Sequence, residues 1–128
     1  MKHLRIIRNA TTGAVVLPRA EWCASFWGHF KGLMLRRNLS DDDGLLFVYG
    51  RESKADTSIH MLFMLYPIAT IWLDKDSVVV DKVLAKPWRL AYVPHAPAQY
   101  FIEARPLILD RVQIGDKLRF DEEAVPHP

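Results

Sequence analysis

The sequence predicts a predominantly β domain with one helix, and two patterns carry this prediction. About eight short runs rich in β-branched, aromatic and other apolar residues alternate with turn residues along the chain. Apolar residues recur every three or four positions at only one place, after Pro18. Because a parallel α/β fold would need a helix after nearly every strand, these patterns favour a mainly β architecture.

The first elements are a hairpin and the helix. Leu4–Arg8 and Ala14–Leu17 are short apolar runs, and Asn9–Gly13 between them has the composition of a turn. The aromatic residues after Pro18 then fall at helical spacing and predict one short amphipathic helix over Glu21–Phe30. Gly32 is placed to end this helix in the left-handed conformation that glycine tolerates.

Strands are predicted for most of the remaining chain. Ser40–Gly44 is expected to form a turn whose glycine has a positive φ, and Gly50–Asp56 an exposed loop. The predicted strands are Leu45–Tyr49, a buried pair within Ser58–Asp74 split near Pro67, Val78–Ala85, Tyr100–Ala104 and Lys117–Phe120. Leu107–Val112 fits either a helical turn or a strand.

Length and composition indicate one folded domain. The chain has 128 residues, of which 50% are hydrophobic and 25% charged, so it can bury a core without support from a metal or a disulfide. The domain is expected to span residues 1–120. Residues 121–128 contain two prolines and three acids and are expected to form a flexible tail.

The sequence favours a soluble cytoplasmic protein. Cys23 is the only cysteine, so no internal disulfide can form, and the first residues lack the pattern of a secretory signal. The apolar stretch Ile59–Leu73 falls short of the ~20 residues that span a bilayer. A net charge of +2 with scattered basic residues argues against nucleic-acid and membrane partners. We expect a monomer or a weak homodimer.

Several short motifs together resemble one family. They are Gly32-Leu33-Met34-Leu35-Arg36, Leu39, Gly44-Leu45-Leu46-Phe47, Pro67-Ile68, Leu73-Asp74, Lys86-Pro87-Trp88-Arg89 and Gly115-Asp116. Over about residues 20–120 this pattern is similar to the uncharacterised bacterial and archaeal family known as domain of unknown function 192. The resemblance implies a compact β-sandwich of jelly-roll type.

This sequence departs from the family pattern at two positions. Leu65 and Ala69 stand where many similar sequences have an arginine and an aspartate. Replacing both members of a buried ion pair by apolar residues can be neutral, whereas removing only one costs about 3–5 kcal/mol. We therefore predict that the two changes are coupled, and that an activity resting on the charged pair is not to be expected here.

Few residues have the spacing of a chemical site. The five histidines do not occur at the spacings of zinc ligands, and the three aspartates at 41–43 lack the alternating ligands of a calcium loop. No metal and no cofactor is therefore predicted. Cys23 lies in an apolar pattern and is interpreted as a buried, unreactive thiol.

Four residues are candidates for binding a ligand: His60, Trp88, Arg89 and Arg36. His60 interrupts an apolar strand, and Trp88 and Arg89 combine a large aromatic ring with a guanidinium fork that binds carboxylates. Arg36 could contact a phosphate. No catalytic residue is predicted.

Each candidate also has a structural interpretation, and that interpretation is favoured. Trp88 would close one end of the fold, while Arg89 would pair with Glu103 or Asp74. His60 would bond a backbone carbonyl in the core or at its rim, and Arg36 would interact with the end of the predicted helix.

Three functions remain open. The preferred one is a non-catalytic module that binds a small anionic molecule or a peptide in a cleft lined by His60, Trp88 and Arg89. An alternative is a small enzyme, a hydrolase or isomerase acting on a sugar or an acid, which would need a base near the reacting proton. The third is a protein–protein interaction module that uses an exposed strand edge.

Overall fold

The computed structural model describes residues 3–24, 40–59, 61, 65–89 and 91–122, and the regular structure within them is mainly β-strand. Among these residues, one 3-10 helix spans Pro106–Arg111. The strands are β1 (Leu4–Asn9), β2 (Val15–Cys23), β3 (Asp43–Ser53), β4 (Ile68–Leu73), β5 (Val79–Ala85), β6 (Ala98–Ala104) and β7 (Leu118–Glu122). No helix among these residues is long and apolar enough to cross a membrane.

The seven strands form one sheet in the order β5-β4-β6-β3-β2-β1-β7. The β2–β3 pair is parallel, and the other pairs are antiparallel. The sheet curls into a half-barrel, because its two outer strands meet at one end. There Val79 N donates to Asp116 O at 2.9 Å and Leu118 N donates to Ser77 O at 2.9 Å.

The mainly β prediction is confirmed, but the two-sheet jelly-roll sandwich is not. A sandwich needs two sheets stacked face to face, whereas these strands share one continuous ladder. The curl lets a single sheet enclose a core on its inner side. All seven strands, the 3-10 helix and the nearby Val112 contribute apolar side chains to that inner core.

A second apolar cluster covers the outer face of the sheet. Phe47, Phe101 and Trp72 lie at its centre, and the two phenylalanine rings stack with their centroids 4.5 Å apart. Because β4 is buried on both faces, all six of its residues are buried, which explains why every one except Thr70 is apolar.

The opening hairpin is confirmed, because β1 pairs with β2 in antiparallel register. The predicted helix is wrong at its start, since Glu21–Cys23 continue β2 and pair with β3. Trp22 packs against the inner core and Cys23 against the outer cluster, which is the alternation of a strand. The remaining part of that prediction, residues 25–30, lies outside the described residues. Cys23 is buried, as predicted.

Most later strands are confirmed, with shifted ends. Residues 68–73 form a strand, whereas the first half of the apolar segment contributes only an isolated bridge from Ile59 to Tyr92 among the described residues. Gly50–Ser53, expected in a loop, extend β3 although Gly50 and the two residues after it are exposed. Leu107–Arg111 fall in the 3-10 helix. The last strand runs to Glu122, two residues beyond the expected domain end.

Gly44 is required for a different reason from the predicted positive φ. It lies inside β3, and the positive-φ glycines among the described residues are Gly13 and Gly115. A Cβ on Gly44 would lie 2.8 Å from the carbonyl oxygen of Glu103 and 3.2 Å from the Cβ of Ala104. Gly44 therefore allows β3 and β6 to pack closely.

Candidate functional site

The segment that carries the Lys-Pro-Trp-Arg motif is held against residues 59–61 by backbone hydrogen bonds. Ile59 and Tyr92 exchange two bonds, of 3.0 and 2.8 Å. Met61 N donates to Arg89 O at 2.9 Å, and Trp88 N donates to Met61 O at 2.6 Å. The motif backbone is thus anchored on both sides of Trp88.

The phenol of Tyr92 closes this segment on itself. Lys86 N donates to the Tyr92 hydroxyl at 2.8 Å, and the Tyr92 ring packs against the outer cluster. We call residues 86–89 the elbow. Ordinary hydrogen bonds fix the backbone of the elbow before any ligand arrives.

Trp88 is the unusual residue of the elbow. Its φ is 66°, in the left-handed region that bulky residues rarely adopt, and its side chain is 54% exposed. The prediction that Trp88 closes one end of the fold is therefore wrong. A strained backbone that holds a large aromatic ring in solvent is a feature associated with ligand clamps.

Lys86 and Arg89 place two positive charges beside this ring. Both residues are exposed. Within the described part of the chain neither side chain forms an ion pair, so the predicted bridge from Arg89 to Glu103 or Asp74 is not present. The Asp74 carboxylate instead accepts hydrogen bonds from the backbone N–H groups of its own turn.

The other two predicted ligand residues, His60 and Arg36, lie outside the described residues. The structure therefore shows where Trp88 and Arg89 lie but does not test whether all four come together. Of the two described neighbours of His60 in the chain, Met61 bonds to the elbow and Ile59 bonds to Tyr92.

A buried polar pair on the outer face was missed by the sequence interpretation as a candidate site. Thr70 on β4 lies directly opposite Glu103 on β6, and both are buried. The Thr70 hydroxyl has no hydrogen-bond partner. Burial, followed by the charges of Glu103 and Asp56, raises the pKa of Tyr49 on the same face to about 12. Polar residues inside the apolar runs of β4 and β6 were the available sequence signal.

Metal binding gains no candidate from the described residues. No three histidine, cysteine, aspartate or glutamate side chains among them come close enough to hold an ion together. The predicted absence of a metal and of a cofactor stays a prediction. His95 Nε2 and Asp81 Oδ2 lie 3.6 Å apart, and the His95 side chain is exposed. Asp81 lies on β5 beside an irregularity in the β4–β5 register.

Comparison with known proteins identifies relatives of the whole domain. The family model described as "Uncharacterized ACR" (DUF192) matches residues 7–120, which extends the predicted resemblance toward the N-terminus. A UPF0127 protein of Thermococcus sibiricus is 38% identical over 126 residues, covering 94% of this chain and 80% of its own. A UPF0127 protein of Thermococcus kodakarensis is 41% identical over 129 residues, with the same coverage.

The fold is also similar to a solved structure. A protein of Sinorhizobium meliloti 1021, proposed to be a transcription regulator, superposes with a TM-score of 0.79 over 94% of each chain. Its sequence identity of 22% supports a shared fold and carries no argument about activity.

Proposed function

The chain belongs to the DUF192 family of uncharacterised proteins, and we propose that it is a non-catalytic binding module that holds an anionic ligand at the elbow. Trp88 supplies an aromatic platform, and Lys86 and Arg89 supply the charge that a carboxylate or phosphate needs. The observation that carries this proposal is the strained and exposed conformation of Trp88.

Strain at Trp88 must be offset by the rest of the fold. A non-glycine residue in the left-handed region costs of order 1–3 kcal/mol, and it persists only where its surroundings fix it. The bonds from Trp88 N and Arg89 O to Met61 provide that restraint. The Trp88 side chain remains 54% exposed in this conformation, and a ligand stacked on the ring would bury it further.

The two exposed cations favour an anionic ligand. An exposed cation can gain a partner without first losing an existing ion pair, and Lys86 and Arg89 have no ion pair with any of the residues that the structure describes. Arg89 is the better anchor, because its planar guanidinium can form two parallel hydrogen bonds to one carboxylate. Trp88 would then stack against the aromatic or apolar part of the same molecule.

Titration with simple aromatic carboxylates, benzoate and phthalate, tests this function. We expect both to quench indole fluorescence and to raise the melting temperature of the parent protein. Trp88→Leu should remove most of the quenching, and Arg89→Gln should weaken binding about tenfold or more. Lys54→Gln removes another exposed cation away from the elbow and serves as the matched control.

The contrary result is equally clear. If Arg89→Gln and Lys54→Gln bind both carboxylates as tightly as the parent protein does, the elbow is not an anion site. The proposal then fails, whatever the effect of Trp88→Leu on fluorescence.

A further inference from the structure

We infer that the natural ligand of the elbow is an acidic, extended segment of another protein that also carries apolar side chains. This inference rests on the proposed function and specifies the class of its ligand. It is drawn from a surface that we call the docking surface, formed by Leu65, Val93 and the elbow residues Lys86, Trp88 and Arg89.

Exposed apolar side chains lie in the segments that lead to and from the elbow. Among the described residues, the large hydrophobic side chains that are more than half exposed are Leu65 (77%), Trp88 (54%), Val93 (56%) and Ile114 (60%). Ile114 lies in the loop before β7, and the other three belong to the docking surface. Apolar groups collected in this way are typical of a site for a protein partner.

The register of the sheet places Leu65 and Trp88 at the same end. Ile68 on β4 pairs with Ala85 on β5, in antiparallel register. Leu65 precedes Ile68 by three residues and Trp88 follows Ala85 by three, so the two chains leave the sheet side by side. The bond between Trp88 N and Met61 O keeps the elbow close to the segment that leads to Leu65.

Val93 follows Tyr92, which anchors it beside the segment at Ile59. Tyr92 pairs with Ile59, and Tyr92 and Tyr66 both pack against the outer cluster. Val93 follows Tyr92 and Leu65 precedes Tyr66, so each exposed apolar residue is adjacent to an anchored tyrosine. The docking surface is therefore supported by the core and does not depend on a free loop.

Charge complementarity selects the partner. Lys86 and Arg89 are exposed and make no ion pair in the described part of the chain, so acidic groups of a partner can pair with them. A small anion would satisfy the cations but leave Leu65 and Val93 in water. An extended peptide whose acidic and apolar side chains both occupy every second position can contact both kinds of group, because side chains two residues apart point to the same face.

Fluorescence anisotropy with labelled synthetic peptides tests this inference. The probe is a peptide in which leucine and glutamate alternate with serine, and two comparison peptides replace glutamate by lysine or leucine by serine. We expect the leucine–glutamate peptide to bind much more tightly than either comparison peptide. The double variant Leu65→Ser with Val93→Ser should weaken its binding about tenfold or more, since apolar anchors dominate such interfaces.

Ile114→Ser is the matched control, because Ile114 has comparable exposure away from the docking surface. It should leave peptide binding unchanged, and thermal melts should show that all variants are folded. Equal binding of the serine–glutamate peptide, or an unchanged affinity in the double variant, would overturn the inference while leaving an anion site at Arg89. Tighter binding of a single-stranded oligothymidylate that Arg89→Gln abolishes would also overturn it, because the partner would then be a nucleic acid.

Failure of the proposed function gives a different pattern. If Arg89→Gln changes the affinity neither for benzoate nor for the leucine–glutamate peptide, both proposals fail together. If benzoate binding depends on Arg89 and no peptide binds, only the peptide inference fails.

Discussion

Replacing Thr70 by valine should stabilise this protein, although most changes of a fully buried residue destabilise. Thr70 is 0% exposed, and its hydroxyl has no hydrogen-bond partner. A buried polar group without a partner costs about 1–3 kcal/mol, because folding removes it from water and gives no bond in return. Valine has nearly the same shape, remains β-branched and carries no polar atom.

Thr57 provides the matched opposite case. It is buried to the same extent, but its hydroxyl donates to Ser53 O at 2.6 Å. Thr57→Val should therefore lower the free energy of unfolding by about 1 kcal/mol, the net contribution of an ordinary hydrogen bond. It also removes a donor from the Ser53 carbonyl oxygen. The two substitutions are chemically identical and should change the stability in opposite directions.

Thermal unfolding of both variants measures the difference. For a chain of 128 residues, an unfolding entropy of about 2.1 cal/mol/K per residue converts 1 kcal/mol into a shift of roughly 4 °C. Thr70→Val should raise the melting temperature by about 4–11 °C and Thr57→Val should lower it by about 4 °C. A decrease for Thr70→Val would refute the reasoning and indicate that the hydroxyl is satisfied, by an internal water for example.

The other expectations concern strain, packing, titration and exposure. Trp88→Gly should be about 1 kcal/mol more stable than Trp88→Ala in urea unfolding, because only glycine adopts the left-handed φ without strain. Gly44→Ala should destabilise by about 3 kcal/mol through overpacking, whereas Gly50→Ala, whose Cβ meets nothing, should change stability little. Burial raises the pKa of Tyr49 from its ordinary 10.0 to about 12, so the unfolded chain loses the phenol proton first as the pH rises. Stability should therefore fall as the pH rises from 10 to 12, and less so in Tyr49→Phe. Leu65→Arg should leave the free energy of unfolding in urea within about 0.5 kcal/mol of the parent value, because the position is exposed.

Strand positions were predictable because alternation and turn residues are local features. The stretch 68–73 is apolar except for Thr70 and forms the strand between β5 and β6, as its composition suggests. The path of Glu21–Cys23 was not predictable in the same way. Trp22 and Cys23 fit a helical spacing with the aromatic residues that follow, and only pairing with β3 selects the strand. The number of sheets likewise depends on the meeting of β5 and β7, which are separated by 32 residues of chain.

The candidate site was predictable in its residue types and not in its exposure. The sequence identified Trp88 and Arg89 from their chemistry, but an aromatic residue after a proline is as compatible with a core as with a surface. The left-handed φ of Trp88 arises from contacts with Met61, a residue far away in the chain. Glu103 and Thr70 are neighbours only through the pairing of β4 with β6, so their proximity could not be inferred before the strand order was known.

The positions of Leu65 and Ala69 show why the two departures from the family pattern are independent of each other. A coupled loss of a buried ion pair would require both positions to be shielded from water. Leu65 is exposed to solvent, whereas Ala69 is 1% exposed and belongs to the inner core beside Ala104. An arginine at position 65 would remain hydrated without any acid nearby, so the prediction of a buried pair is wrong. The leucine instead adds apolar area to the docking surface at a place where a cation would have repelled Lys86 and Arg89, which favours a partner with apolar as well as acidic side chains.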